Sequence, residues 1–147
     1  MWNNKKVSVI FPTYNEKDSI RGAIEYFYAS GYVDEVVVVN NNAAEGTAEE
    51  VAQTRAKQVF ESEQGYGHAI RRGFREADPD ADYLIVSEPD GTFAGQDVLK
   101  LLAYSDEFDF VLGTRTSREF IWAGANMGRF LKWGNWAVAK MVEFLFN

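Results

Sequence analysis

Apolar positions along the chain follow two alternating patterns. Val7–Phe11, Glu35–Val39, Tyr83–Val86 and Phe108–Leu112 are short runs rich in β-branched or aromatic residues and lack a polar face, with Gln58–Phe60 a weaker example. Such runs predict strands buried on both sides, the habit of parallel sheets. Between them the spacing becomes helical. Ser19–Ala29 carries Ile20, Ala23, Ile24 and Phe27 at i, i+3, i+4 and i+7, with Gly31 just beyond as a stop signal. Thr47–Ala56, Gly67–Ala77 and Asp97–Tyr104 predict three more helices, and no repeat, low-complexity tract or linker interrupts the series. The alternation predicts a three-layer α/β domain with a mostly parallel sheet and right-handed crossovers. Ligands on such sheets sit beyond the carboxyl ends of the strands, so the post-strand loops are where chemistry is expected.

The tail breaks this rhythm. From Gly124 the chain is rich in Trp, Phe and small residues, and it predicts a helix from about Arg129 onward. Trp133, Trp136, Ala137, Lys140 and Phe144 share one side, while Phe130, Val138, Met141, Val142 and Leu145 cover most of the rest. A helix apolar nearly all round is expected to be buried, beneath further chain, another subunit or a membrane surface. Trp133 and Trp136 with Lys132 and Lys140 would also suit a bilayer interface, although a core helix is the commoner use of this pattern. The expected organisation is a single domain, with residues 1–123 as its core and 124–147 as an apolar helical tail.

Composition narrows the chemistry. The 147 residues are close to the ~150-residue prior for one domain. With 46% hydrophobic residues the chain is too apolar to be disordered. The absence of cysteine removes disulfides, thiolate nucleophiles and Cys-ligated zinc, and a single histidine, His68, rules out a multi-His metal site. A net charge of −7 argues against nucleic-acid binding, which draws on surplus Lys and Arg. It leaves nucleotide ligands open, because a divalent cation can bridge carboxylates to phosphates. No run approaches the ~20 apolar residues of a membrane span. Pro12 and Asn15 end the first apolar run too early for a signal peptide, so a cytoplasmic protein is expected.

Four post-strand loops carry unusual residues. The first, Pro12-Thr13-Tyr14-Asn15-Glu16, has a proline that should end a central strand, a stacking face and a hydrogen-bonding carboxylate. An Asn15 cap with Glu16 and Asp18 favouring the helix dipole explains it equally well. The second, Asn40-Asn41-Asn42, reads either as a turn or as amides facing a base edge. The third, Gly65-Tyr66-Gly67 with Gly73 beyond, is neither a dinucleotide fingerprint nor a P-loop: Ile70 stands where the last glycine belongs, and no Gly-Lys-Ser/Thr occurs. It leaves a glycine-rich helix start able to approach a ligand, followed by Arg71, Arg72 and Arg75, which read more readily as a solvated face, and His68 as a polar helix residue. The fourth, Glu88-Pro89-Asp90-Gly91, is either an acidic β-turn or a pair of carboxylates aimed at Mg²⁺ or Mn²⁺.

In this order the loops resemble the nucleotide-sugar half of a family 2 glycosyltransferase with the GT-A fold, most like the polyprenyl- and dolichol-phosphate sugar transferases. Val7–Glu16 is similar to the family's opening motif, Val36–Asn42 with Glu45-Gly46-Thr47 to its second loop, and Gly65–Gly73 to its glycine-rich helix start. Glu88-Pro89-Asp90-Gly91 stands in the place of the metal-binding DxD, and Val111–Arg115 resembles the strand and arginine near the donor phosphates. The resemblance implies a Rossmann-like nucleotide-diphospho-sugar transferase fold. It also implies an inverting transfer from a UDP- or GDP-linked sugar to a polyprenyl phosphate or a glycan, at the cytoplasmic face of a membrane. On this reading Pro12, Thr13, Tyr14, Glu16, Asn40 and Asn41 hold the base and ribose. Gly67, Arg71, Pro89 and Arg115 lie along the nucleotide, and Glu88 and Asp90 bind Mg²⁺ or Mn²⁺. Two departures stand out: Asn40 and Asn41 replace the usual acids, and Glu88 is one methylene longer than the usual Asp. The resemblance also places the acceptor-side catalytic base downstream of Asn147, so the chain looks C-terminally truncated, a naturally short protein being the alternative. A nucleotide-binding module without turnover is the competing reading. A nucleotidyltransferase is a third, weakened by the lack of a glycine-rich phosphate loop after the first strand.

Overall fold

The valine-rich runs become neighbouring strands. The computed structural model describes residues 1–113 and 129–146. In chain order the elements are β1 (Val7–Thr13), α1 (Lys17–Ala29), β2 (Glu35–Asn40), α2 (Thr47–Ala52), β3 (Lys57–Phe60), α3 (Tyr66–Glu76), β4 (Tyr83–Val86), α4 (Asp97–Leu102) and α5 (Arg129–Phe146). The four strands form one parallel sheet in the order β3-β2-β1-β4. Two compact units divide the chain at Asp109/Phe110, and the sheet with α1–α4 belongs to the first.

Alternation along the strands builds the layers. Val7, Val9 and Phe11 of β1 and Val36 and Val38 of β2 pack with Ile20, Ile24 and Phe27 of α1, Val51 of α2, and Val98 and Leu102 of α4. On the opposite face Ile10, Val37, Val39 and Val59 meet Ala69 in α3. The three-layer α/β architecture therefore follows from β2 being apolar at four consecutive positions, Val36–Val39, all fully buried.

Helix and strand ends differ from the sequence expectation for local reasons. Helix α1 begins two residues early because the Glu16 carbonyl accepts the N–H groups of Ser19 and Ile20. Gly31 stops it as expected, at φ +79°. Helix α2 ends at Ala52 because the Thr54 hydroxyl takes the Val51 carbonyl at 2.7 Å and accepts the Ala56 N–H, turning the chain into β3.

Pro12 does not end β1, contrary to expectation: it sits inside the strand opposite Val39. The carbonyls of Val7 and Thr13 face β2, whereas those of Lys6 and Ile10 accept N–H groups from the β4 side, so by alternation Pro12 faces the β4 side as well. The β4 register ends with Val86 opposite Ile10, and a missing N–H beyond it forfeits no ladder bond.

Residues 108–112 form no strand, and β4 pairs with β1 alone among the described residues. A five-residue apolar run carries no information about which edge it pairs with, and that pairing decides whether it is a strand.

Helix α5 belongs to the second unit, and its Trp133, Trp136, Phe144 and Leu145 are exposed, where burial was expected. Among the described residues no helix is long and apolar enough to cross a membrane.

Helix α3 lies unusually close to the sheet. A Cβ at Gly73 would fall 2.3 Å from Cγ2 of the fully buried Ile10, while one at Gly67 would meet nothing within 4 Å. Gly73→Ala is therefore expected to destabilise the protein by about 1–3 kcal/mol through overpacking. Gly67→Ala should be neutral or stabilising by up to about 1 kcal/mol, since alanine is the better helix former. Urea unfolding of the two variants checks this, and equal midpoints would refute the close approach.

Candidate functional site

Because the sheet is parallel, the loops after β1, β2 and β4 leave from one edge, and α3 starts beside them. They enclose an open cleft of about 360 Å³ lined by Pro12, Thr13, Tyr14, Glu16, Asn41, Gln64, Tyr66, Ala69 and Glu88. Six of these were expected from the sequence: Pro12, Thr13, Tyr14, Glu16, Asn41 and Glu88. Asn40, Gly67, Arg71, Pro89 and Asp90 lie outside the lining, and Arg115 lies outside the described residues.

The first loop is held from within. Glu16 occupies the cap position of α1, where Asn15 was the alternative, but its carboxylate turns backward instead of capping the helix. Its Oε2 accepts the N–H groups of Tyr14 at 2.6 Å and Asn15 at 2.9 Å. This holds the backbone around Tyr14, whose ring stays half-exposed at the cleft.

The three asparagines act first as ties. Asn40 Oδ1 accepts the Ala43 N–H at 2.9 Å and closes its own turn. Asn41 donates both Nδ2 hydrogens to backbone carbonyls, of Glu61 and Glu63, each at 2.8 Å, and its Oδ1 accepts the Gly65 N–H at 2.8 Å. Both donors are spent, so toward a ligand Asn41 retains acceptor capacity only. Asn42, in a left-handed conformation at φ 57°, reaches Ser62 and Gln64. Together they clip the loop after β2 to the loop before α3, which sequence spacing alone did not reveal.

At the other wall Glu88 and Tyr66 both line the cleft. Burial first, and then the Glu88 charge and hydrogen bonding to it, push the Tyr66 phenol above its ordinary pKa. Asp90 lies exposed in the next turn, where its Oδ1 accepts the Thr92 N–H at 2.9 Å and the Thr92 hydroxyl at 2.7 Å. Pro89 is buried, and its carbonyl accepts the Ser19 hydroxyl at 2.7 Å, which anchors this acidic loop to α1.

Among the described residues the lining contains two carboxylates, Glu16 and Glu88, and no Lys or Arg. Arg71 is exposed on α3, Arg72 pairs with Glu76 at 2.9 Å, and His68 Nδ1 lies 3.3 Å from Glu63. An anion could enter such a cleft only with a cation. Among the described residues no three acidic or histidine side chains converge on one point. Glu88 and Asp90 are two carboxylates on one loop, and carboxylate oxygens are the ligand type that would suit a hard cation drawing its remaining ligands from phosphate and water. Gln64, Tyr66 and Ala69 were not among the expected site residues; the signal available was the glycine-rich segment Gly65–Gly73, which contains Tyr66 and Ala69 and directly follows Gln64.

Replacing Glu88 with Gln should lower the Tyr66 phenol pKa, because a neighbouring negative charge disappears, while burial still holds it above the ordinary value. A tyrosinate absorbance titration, with Tyr66→Phe to assign the signal, checks the direction. An unchanged value would mean the two groups do not interact.

The family model described as glycosyl transferase family 2 matches residues 8–137. A glycosyltransferase of Haloferax volcanii, AglJ, is 31% identical over 110 residues, covering 74% of this chain and 36% of its own length. The dolichol-phosphate mannosyltransferase of Pyrococcus furiosus is 30% identical over 118 residues, covering 75% of this chain and 33% of its own. The chain thus spans about a third of the length of these two relatives. In fold it is similar to glucosyl-3-phosphoglycerate synthase of Mycobacterium tuberculosis, solved with Mn²⁺, uridine diphosphate and phosphoglyceric acid. That likeness has a TM-score of 0.61 and 18% identity and covers 72% of this chain and 40% of the other.

Proposed function

This chain belongs to glycosyl transferase family 2, and from that premise we propose that its cleft binds the nucleoside diphosphate of a nucleotide-sugar in a glycosyl transfer reaction. One observation carries the reading: among the described residues two tyrosines and two carboxylates line the cleft without any basic side chain. A diphosphate is repelled by such a lining unless a divalent cation lies between them. Glu88 and Asp90 are the residues that would hold Mg²⁺ or Mn²⁺, and Asp90 Oδ2 has no protein partner among the described residues. The Mycobacterium tuberculosis synthase with the similar fold was solved with Mn²⁺ and uridine diphosphate, which supports the choice of cation and ligand class.

Tyr14 offers a stacking surface for the base. Pro12, Thr13 and Asn41 form the wall behind it, with Asn40 holding the turn. Glu16 keeps the Tyr14 backbone in place, and Arg71, outside the lining, is a cation available to the phosphates, with Arg115 proposed for the same task. The bound cation supplies the positive charge that stabilises the departing diphosphate. In the transfer the bond from the anomeric carbon to the diphosphate oxygen breaks, and one to an acceptor oxygen forms.

The acceptor we propose is a polyprenyl phosphate or a glycan, in keeping with the name of the Pyrococcus furiosus relative. A phosphate acceptor is already nucleophilic, whereas a hydroxyl needs a general base, and no residue of the cleft is assigned that role. The proposed place of action is the cytoplasmic face of a membrane, with α5 a candidate for peripheral or subunit contact.

Titration calorimetry with UDP and GDP, in Mn²⁺ and in EDTA, tests the proposal. Binding is expected only with metal, and Asp90→Ala should weaken it at least about tenfold, the loss of a charged metal ligand being worth more than about 1.4 kcal/mol. Equal affinity in EDTA would sink the cation's role, and no binding of either nucleotide would sink the donor site.

A further inference from the structure

Gln64 lines the cleft, and the donor-site reading leaves it without a task. Its hydrogen bonds decide which end of its amide is free. The constraint starts at the Ser62 backbone carbonyl, which can only accept. Asn42 therefore turns its Nδ2 toward that oxygen, at 3.3 Å. The same Nδ2 lies 2.9 Å from Gln64, and a donor there requires an acceptor, so Gln64 presents Oε1 to Asn42. Its Nε2, with two N–H groups, is left with no protein acceptor among the described residues.

Asn41 is constrained in the opposite sense. With both N–H groups given to the Glu61 and Glu63 carbonyls, it can only accept. The Gly65 N–H on which it closes follows Gln64 directly in the chain. The lining thus holds an obligate acceptor, Asn41, and an obligate donor, Gln64.

We propose that Gln64 determines base specificity, donating to a ring carbonyl of the nucleotide while Asn41 accepts from the adjacent ring N–H. Uracil and guanine both present that pair of groups. Cytosine and adenine present an unprotonated ring nitrogen in place of the N–H, and it would meet Asn41 Oδ1 acceptor to acceptor, leaving both unpaired. The inference rests on the donor-site reading and deepens it.

The test is calorimetry on the full chain with Mn²⁺, using UDP, CDP, GDP and ADP. UDP should bind at least about tenfold tighter than CDP, or GDP at least about tenfold tighter than ADP, and whichever pair responds names the base. Gln64→Glu replaces the donor with an acceptor and should cut that ratio severalfold. Its added charge weakens both members of a pair alike, so the ratio is the readout. Asn42→Asp provides an independent route: the new carboxylate would take the Gln64 N–H, turn Oε1 to the cleft and lower the same ratio. Gln64 and Asn42 are exposed, so neither change touches the core, and circular dichroism melts verify folding. Equal binding of all four nucleotides, a preference for CDP or ADP, or ratios unmoved by both variants would overturn the role of Gln64 with the donor site intact. No binding of any nucleotide would remove the donor-site reading and this inference together.

Discussion

Two-sided burial of β2 is the constraint on which the rest depends. Val36–Val39 are fully buried, and each such side chain is worth roughly 1.5–3 kcal/mol against exposure. Four in succession cannot be satisfied by a single layer, because consecutive side chains point to opposite faces. Helices must therefore cover both sides, and the strands must run parallel so that each crossover helix returns the chain to the same edge. The cleft at the carboxyl ends is a consequence of that geometry: the core brings the loop starts to one edge, and hydrogen bonds between the loops then fix them there.

The cleft combines tight internal ties with a poor electrostatic match to the ligand proposed for it. Glu16 spends one carboxylate oxygen on the Tyr14 and Asn15 backbone, Asn41 spends both amide hydrogens on the β3–α3 loop, and Ser19 fastens the Pro89 carbonyl. These bonds hold the loops in place before any ligand arrives, which lowers the ordering cost of binding. The described lining nevertheless carries two carboxylates and no basic side chain. With the proposed ligand, such a site would be rigid where the base lies and dependent on a cation where it meets phosphate.

The second-loop asparagines show how local structure can alter what a residue type means. In isolation an asparagine side chain both donates and accepts. Once the Glu61 and Glu63 carbonyls take its hydrogens, Asn41 presents the same hydrogen-bonding sense as a carboxylate, without the charge. Gly73 and Gly67 make a parallel case: one is needed because Ile10 lies against α3, and the other faces open space.

Alternation of buried runs with helical spacing was enough to determine the three-layer α/β class, the four strands observed, and the edge of the sheet where chemistry gathers. Six of the nine lining residues lie in or beside the loops that this pattern marked, and the family resemblance singled them out there. Tertiary structure alone decided the rest. Pro12 stays in β1 because β4 ends early, residues 108–112 are not a strand because no edge in the described sheet receives them, and Gln64 and Tyr66 enter the cleft because Asn41 and Asn42 pull their loop across. Each of those outcomes is a pairing between segments distant in sequence, and a single chain read in order does not record which distant groups its hydrogen bonds will meet.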